Sequence, residues 1–228
     1  MCGRFTITVT VGFSERFGVA ESSVTIEPRY NIAPSQQVPV VIPGHEEGSP
    51  RLLTSMSWGL VPSWTKEPKF GHFINARAEN LLEKKFFRNA ALHRRCLIPA
   101  TGFYEWKHEG GKKIPYYIRR KDGGLFAFAG IYEGWQAPGQ ELVLTCAIIT
   151  TLPDSVVAPI HDRMPAILGE TMEDTWISAP AWQPGDLGRL LEPYPSHLLE
   201  AYQVSPAVNS ASADSPDLIK SVGQETLF

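Results

Sequence analysis

Glycine and proline occur frequently along the whole chain, and they limit it to short secondary-structure elements. The 228 residues include 19 glycines and 19 prolines, about one residue in six. Proline ends or kinks helices and interrupts central strands, and glycine favours turns. We therefore expect frequent turns and no long uninterrupted helices. Hydrophobic residues make up 43% of the chain and charged residues 20%, a balance that is typical of a packed globular domain and excludes global disorder.

Apolar residues follow strand periodicity in much of the sequence. β-Branched residues alternate with polar ones from Arg4 to Thr10, and this pattern predicts a strand close to the N-terminus. A Glu-Gly-Gly turn joins two alternating segments and predicts a hairpin over 102–108 and 114–120. Further strands are predicted over 38–42, 52–58, 125–132, 142–151 and 201–205.

Helical spacing is confined to short segments. Helices are predicted over 13–19, 75–95, 171–177 and 186–191. Residues 28–39 are predicted to be a turn-rich connector. The pattern as a whole predicts one α+β domain over residues 2–228, with a barrel-like, mostly antiparallel β core and a few short helices. Residues 209–217 have a loop-like composition, and a mobile tail is expected over 209–228.

The net charge of −3 conceals segments of very different charge. Residues 1–65 carry a net −1, residues 66–121 a net +9 and residues 122–228 a net −11. Phosphate contacts dominate the affinity of proteins for nucleic acids, so the central segment is a candidate phosphate-facing surface. Aromatic residues are interleaved with this segment, and unpaired bases stack on such rings. A solvated basic face that is balanced by an acidic neighbour explains the same pattern.

Cys2 follows the initiator methionine and is the most distinctive candidate for a reactive group. Removal of Met1 would leave the Cys2 thiol beside a free α-amine, with reference pKa values of about 8.5 and about 8. The amine of such an aminothiol condenses with an aldehyde, and the thiol then closes a five-membered thiazolidine ring. N-terminal nucleophiles of amidohydrolases use the same amine as a base. A functionless cysteine at a frayed terminus is the alternative.

The other cysteines, and the absence of metal-binding and nucleotide-binding motifs, exclude several classes of protein. Cys96 and Cys146 have apolar neighbours and are predicted to be inert core thiols. Three cysteines without a CxxC pair indicate a reducing, cytoplasmic setting, and we expect neither a secretory signal nor a membrane span. Histidines and cysteines are not spaced as metal ligands, and nucleotide-binding glycine motifs are absent. We therefore expect no metal and no cofactor.

Three polar residues are candidates for acid–base or hydrogen-bonding roles. Glu105 lies between a tyrosine and a tryptophan, where desolvation can raise its pKa and make it a proton carrier; an exposed strand position is the alternative. His161 lies in a proline-bounded loop and is the best general acid or base, unless it is a satisfied structural histidine. Asn75 either caps the predicted helix or, together with Arg77, directs donors at a phosphate or a reacting group.

Six short motifs, in order along the chain, resemble the SRAP family (SOS response-associated peptidases, the abasic-site processing proteins). They are MCGRF (1–5), RYNIAP (29–34), WGLVPSW (58–64), INARAE (74–79), CLIPA with GFYEW (96–100 and 102–106) and IHDRMP (160–165). Each motif is short, but six of them in this order are highly specific. Residues 204–216 resemble the C-terminal end of the family, so the resemblance covers essentially the whole chain.

The resemblance implies a single α+β domain with a barrel-like core and a positively charged channel for single-stranded DNA. It implies that Met1 is removed autocatalytically or by a cellular aminopeptidase. Cys2 then captures the ring-opened aldehyde of an abasic site as a thiazolidine DNA–protein crosslink. The enzyme implied is thus a crosslinking enzyme with lyase-like Schiff base chemistry and autopeptidase character.

The resemblance also implies roles for individual catalytic residues. Glu105 would assist proton transfers around the Schiff base and take part in reversal of the crosslink. His161 would contact and protonate the deoxyribose oxygen, and Asn75 would hold the reacting terminus. The implied catalytic set is therefore Cys2, Asn75, Glu105 and His161.

The DNA-binding residues that the resemblance implies are Arg4, Trp64, Arg77 and Arg163. Arg77 and Arg163 would clamp the phosphates that flank the lesion, and Trp64 would stack or wedge where strands part, with Trp58 or Phe73 as further candidates. The expected partner is single-stranded DNA with abasic sites, bound by a cytoplasmic, nucleoid-associated monomer. Two alternatives remain open: an N-terminal-nucleophile cysteine peptidase or amidase, and a protein that binds single-stranded DNA without reacting.

Overall fold

A computed structural model describes residues 2–223, apart from 21, 23, 47, 179–190 and 192–193. Within these residues the chain forms thirteen strands and three α-helices. The strands are β1 (Arg4–Ile7), β2 (Arg29–Ile32), β3 (Gln37–Ile42), β4 (Leu52–Trp58), β5 (Asn75–Arg77), β6 (Arg95–Ala100), β7 (Gly102–Glu109), β8 (Lys112–Arg120), β9 (Phe126–Trp135), β10 (Val143–Thr151), β11 (Met164–Pro165), β12 (Ile167–Leu168) and β13 (Leu199–Gln203). The helices are α1 (Phe13–Phe17), α2 (Lys85–His93) and α3 (Glu170–Ser178).

Five strands close into a barrel. They pair in the order β10, β4, β3, β6 and β9, and β9 pairs with β10 to complete the ring. The pairings within the ring are antiparallel except that of β4 with β10. The short strand β5 runs parallel to β10 at the edge of the barrel. This architecture confirms the predicted α+β fold with a barrel-like, mostly antiparallel core and short helices.

A second sheet, in the order β13, β8, β7, β1, β2, packs against the barrel. The ring of Phe5 on β1 meets the rings of Trp58 and Phe128 edge to face, with centroids 5.2 and 5.8 Å apart. Such contacts between large buried rings stabilise the packing of one layer on the other. β1 is an inner strand of this sheet and its Phe5 ring packs on the barrel, so both neighbouring strands and the barrel hold the start of the chain.

The hairpin of β7 and β8 confirms the prediction made from its turn. Gly110 and Gly111 both have positive φ, 56° and 76°, the conformation that a tight two-residue turn requires. The register places Glu105 opposite Tyr116, near the middle of the hairpin. The strand predictions over 38–42 and 52–58 are also confirmed, as the antiparallel pair β3 and β4.

Two predictions about the first half of the chain are wrong. The connector predicted over 28–39 contains β2, because its prolines at 28 and 34 bracket this strand instead of interrupting it. One or two helices were predicted over 75–95, but the segment begins as β5 and a 3-10 turn, and α2 is the α-helix that forms there. Hydrogen bonding to β10 overrides the helical spacing there. The strand β6, with all six residues buried, was not predicted.

The last part of the chain packs on the second sheet. Val208 and Leu218 are buried against Tyr104 and Tyr117, whereas the sequence predicts a mobile tail over 209–228. Residues 224–228 and most of the helix predicted over 186–191 lie outside the described residues. Among the helices that the structure describes, none is long and apolar enough to cross a membrane.

Candidate active site

Cys2 lies immediately before β1 and is fully buried. Its Sγ is 3.8 Å from the carbonyl oxygen of Arg4, and Arg4 pairs with Tyr104 on β7. Burial raises the pKa of the Cys2 thiol well above its usual range, and the nearby carboxylate of Glu105 raises it further. Cys2 is therefore a buried residue whose thiol lies within the electrostatic reach of a carboxylate, and the alternative of a frayed terminus is wrong.

Glu105 is the carboxylate that faces this thiol. It lies on β7 and is only 1% exposed, so the alternative of an exposed strand position is wrong. Burial raises the pKa of Glu105 to about 7, because a desolvated carboxylate is less stable than a desolvated carboxylic acid. A group with this pKa can accept and return a proton near neutral pH.

Asn75 connects Cys2 to the barrel by a hydrogen bond. It is the first residue of β5, and its register partner on β10 is Ile148. The Asn75 Nδ2 donates a hydrogen bond of 2.8 Å to the carbonyl oxygen of Cys2. The predicted role as a helix cap is therefore wrong. The Oδ1 of Asn75 is buried and accepts no hydrogen bond from any residue that the structure describes.

His161 approaches Glu105 from a loop between β10 and β11. Its Nε2 is 3.9 Å from Oε2 of Glu105, and burial lowers the pKa of the imidazole, which favours its neutral form. The backbone N–H of Arg163 donates to Nδ1 at 3.0 Å, whereas the carboxylate of Asp162 also lies 2.9 Å from this nitrogen.

The two contacts at Nδ1 of His161 require opposite protonation states. The backbone N–H is fixed by the loop, whereas the Asp162 side chain is 86% exposed and screened by water. We therefore assign Nδ1 as the acceptor, which leaves the proton of the neutral ring on Nε2. This proton faces the side of the ring where Glu105 lies.

An open cleft of about 400 Å³ gives access to the site. Its walls are Gly3, Arg4, Pro34, Glu105, Trp106, His108, Lys113, His161 and Asn209. Of these residues, Glu105, Trp106 and His108 belong to β7 and Lys113 belongs to β8. Lys113 and His108 were not predicted as site residues, and the hairpin register now shows them to be cross-strand partners.

Arg4 reaches the cleft from β1. Its Nη1 donates a hydrogen bond of 2.8 Å to the carbonyl oxygen of Val208. Asn31 also forms hydrogen bonds with the segment that contains Val208. The Nδ2 of buried Asn31 lies 2.9 and 2.8 Å from the carbonyl oxygens of Ser210 and Ala213 and donates to them. The C-terminal segment thus forms one wall of the cleft and holds the guanidinium of Arg4.

Arg77 and Arg163 have different surroundings. Arg77 is exposed at the end of β5, two residues after Asn75. Arg163 is only 7% exposed, and its guanidinium makes two contacts of 2.5 and 2.9 Å with the carboxylate of Glu79. The same guanidinium donates to the carbonyl oxygen of Thr150 at 2.6 Å. Glu79 lies in one of the six motifs, but its pairing with Arg163 is not visible in the sequence.

Trp64 lies outside the walls of the cleft and is 53% exposed. Its ring contacts that of Phe86 on α2, with centroids 5.6 Å apart and an angle of 30° between the planes. The further candidate Trp58 is fully buried and donates from Nε1 to the carbonyl oxygen of Ile74 at 2.9 Å, so it is a core residue. Within the described part of the chain, no group of three or more His, Cys, Asp or Glu side chains is placed to hold a metal ion.

Replacing Glu105 with glutamine should stabilise the fold at alkaline pH. A pKa of about 7 in the folded state lies above that of the unfolded chain, so the folded state binds this proton more tightly. The contribution of Glu105 to the free energy of unfolding is therefore largest at acidic pH. It falls as the pH rises to about 7, and the loss is about 3 kcal/mol at most. In urea titrations, Glu105→Gln should have the larger free energy of unfolding at about pH 8 and no such advantage at about pH 4. An advantage of equal size at both pH values would contradict this explanation.

Comparisons with known proteins place this chain in a family. The family model described as SOS response associated peptidase (SRAP) matches residues 1–211. The chain is 45% identical over 226 residues to the abasic site processing protein YoqW of Bacillus subtilis (strain 168), an alignment that covers 97% of this chain and 100% of the relative. It is 33% identical over 222 residues to the abasic site processing protein HMCES of Gallus gallus, covering 84% of this chain and 66% of that protein.

A solved structure gives the same result for the fold. A protein from Bacteroides thetaiotaomicron superimposes on this chain with a TM-score of 0.85 and 28% sequence identity, covering 97% of this chain and 100% of the other. The family model accounts for nearly the whole of the chain, including the segments that carry Cys2, Asn75, Glu105 and His161. The chain therefore belongs to the SRAP family.

Proposed function

We propose that this protein recognises abasic sites in single-stranded DNA and links itself to them covalently through the amine and thiol of Cys2. The observation that carries the proposal is the burial of Cys2 beside Glu105, a carboxylate with a pKa of about 7. An abasic deoxyribose in its open form is an aldehyde, the electrophile that an aminothiol traps. The names of the relatives, abasic site processing proteins, support the same substrate.

The first steps join the amine to the aldehyde. Hydrolysis of the Met1–Cys2 peptide bond frees the α-amine, whose reference pKa is about 8. The amine nitrogen adds to the aldehyde carbon, and the carbinolamine loses its oxygen as water to give a Schiff base. Glu105 takes the proton that the amine nitrogen releases and supplies one to the departing oxygen. The Schiff base is also the source of lyase-like chemistry.

The last step closes the ring. The Cys2 sulfur adds to the carbon of the Schiff base and forms the C–S bond, while the thiol proton passes through Glu105 to the nitrogen. One water is lost overall, and no electrons are gained or lost. The buried thiol has a raised pKa and is protonated at neutral pH, so ring closure depends on a nearby base. Glu105 is the group that supplies it.

His161 and Asn75 act on the sugar and on the terminus. The neutral imidazole presents its Nε2 proton on the side of Glu105, where it can donate to the deoxyribose oxygen. Asn75 fixes the carbonyl group of Cys2 with its Nδ2. The reacting amine therefore starts from a fixed position, which lowers the entropic part of the barrier.

The phosphates would be held by the basic residues around the cleft. Arg77 follows Asn75 by two residues on β5, so both side chains lie on the same face of that strand. Arg4 lines the cleft itself. For Arg163, the paired carboxylate of Glu79 implies that a phosphate is bound by displacing or sharing this contact. Trp64 is exposed and free to stack on a base.

Intact-mass measurement tests the proposal directly. The purified protein should have the mass of the chain without Met1. After incubation with an oligonucleotide that carries one abasic site, a second species should have the summed mass of protein and DNA less one water. An equal oligonucleotide with a tetrahydrofuran in place of the abasic sugar has no aldehyde and serves as the control. An unchanged protein mass with abasic DNA would overturn the proposal.

A further inference from the structure

We propose that an aromatic and basic surface on helix α2 binds the unpaired bases that flank the lesion, with Phe86 and Lys85 as its contact residues. This surface, the α2 stack, consists of Trp64, Phe73 and Phe86 together with Lys85. The inference rests on the proposed function, because it takes single-stranded DNA as the occupant. It adds two residues, and a helix, that lie outside the cleft and its catalytic groups.

The rings of the α2 stack form a short column. Phe86 lies between the other two rings, with its centroid 5.6 Å from that of Trp64 and 4.8 Å from that of Phe73. The planes of neighbouring rings are tilted by 30° and 33° relative to each other. Phe86 is nevertheless 40% exposed and Trp64 is 53% exposed. Exposed, adjoining aromatic rings indicate a binding surface, and nucleobases stack on rings so arranged.

The α2 stack is tied rigidly to the candidate active site. Phe73 precedes Asn75 by two residues, and a strand rises about 3.3 Å per residue, so the two lie roughly 7 Å apart along the chain. The backbone between them is fixed, because the carbonyl oxygens of Phe73 and Ile74 accept hydrogen bonds from Leu60 N and Trp58 Nε1 at 3.1 and 2.9 Å. A strand with its abasic sugar at Cys2 can therefore reach the stack within a few nucleotides.

The charge around the α2 stack suits a phosphate backbone. Lys85 Nζ is 4.8 Å from the centre of the Trp64 ring, and Arg88 is exposed on the same helix. The sequence of α2, KFFRNAALH, contains no acidic residue. Stacked rings flanked by cations match single-stranded nucleic acid, whose bases and phosphates alternate along one strand.

Binding measurements with unmodified DNA test this surface without any covalent step. Phe86→Ala should bind a single-stranded oligonucleotide without an abasic site about tenfold more weakly than the wild type, and should bind the blunt duplex of the same sequence equally well. Lys85→Ala should lower the slope of log affinity against log salt by about 0.7 on the single strand. Phe86→Trp retains a ring and should restore the affinity.

Matched controls lie on the second sheet. Leu198 is 40% exposed, as Phe86 is, and Lys121 is an exposed lysine whose backbone N–H donates to the Leu198 carbonyl. Leu198→Ala and Lys121→Ala should leave the affinity for the single strand unchanged. A Phe86→Ala variant that binds single strands as the wild type does, or that loses affinity for the duplex to the same extent, would overturn the inference.

The proposed function and this inference fail separately. At saturating abasic DNA, Phe86→Ala should reach the same final yield of crosslink as the wild type, because Cys2 and Glu105 are untouched. If the wild type forms no crosslink while Phe86→Ala still weakens single-strand binding, the proposed covalent chemistry is wrong and the proposed binding surface is supported. If crosslinking occurs and Phe86→Ala leaves the affinity for the single strand unchanged, the proposed binding surface is wrong and the proposed covalent chemistry is supported.

Discussion

Replacing Cys2 with alanine is expected to abolish the heat-stable adduct with abasic DNA completely. The variant keeps an N-terminal amine but has no sulfur, so the Schiff base can form and the thiazolidine ring cannot close. Denaturing gels of protein incubated with abasic oligonucleotide should show no shifted band that survives heating. The same reaction run with borohydride, which reduces the Schiff base to a stable amine, should still show one.

The other buried thiols provide the control for this experiment. Cys96 is also fully buried, and burial raises the pKa of its thiol well above the usual range, but it lies on β6 inside the barrel. Cys96→Ala should therefore form the heat-stable adduct as the wild type does. If Cys2→Ala gives as much of that adduct as the wild type, the proposed mechanism is wrong.

Replacing Glu105 with glutamine should slow crosslink formation by about a hundredfold, the usual loss when a general acid or base is removed. In the wild type, the rate should rise as the pH passes through about 7, because the carboxylate is the form that accepts protons. Glu105→Gln cannot ionise, so this rise should disappear. The pH dependence that remains should be that of the α-amine, near its reference pKa of about 8. Single-turnover rates across pH measure both effects.

A second buried carboxylate shows whether the loss is specific to the site. Glu133 lies on β9, outside the lining of the cleft. It is 4% exposed, and its carboxylate pairs with Arg94 at 2.5 Å. Glu133→Gln should keep the rise near pH 7. Reversal of the crosslink passes through the same Schiff base, so Glu105→Gln should slow it too. Unchanged rates in both directions would exclude Glu105 from the chemistry.

The parts of the fold that sequence patterns predict are those that local interactions determine. The hairpin of β7 and β8 follows from alternating residues around two glycines, and β4 from a regular apolar pattern. The segment 75–77 has helical spacing but forms a strand, because β10 offers an open edge for hydrogen bonds that only tertiary structure provides. β2 was missed for a similar reason, since its pairing partner β1 lies more than twenty residues earlier.

In the candidate site too, the properties of single residues can be predicted from the sequence, whereas contacts between distant segments cannot. The chemistry of Cys2 and the sensitivity of Glu105 to burial follow from the residues themselves. The contact of Asn75 with the Cys2 carbonyl and the approach of His161 to Glu105 join segments far apart in sequence. No spacing rule predicts these contacts, and only the resemblance to a family connected the residues beforehand. The pairing of Arg163 with Glu79 was not predicted, because nothing in either motif shows that their side chains meet.

The position of β1 within its sheet has a mechanical consequence. Cys2 continues directly into β1, which is paired on one side with β7 and on the other with β2. A pull on DNA attached to Cys2, directed along the strand, would load these hydrogen bonds in shear, all at once, instead of peeling them apart one after another. A strand at the sheet margin is paired on one side only, so the same pull would meet fewer hydrogen bonds and break them at a smaller force. The proposed attachment point is thus anchored where the fold best resists being torn open by a moving motor on the DNA.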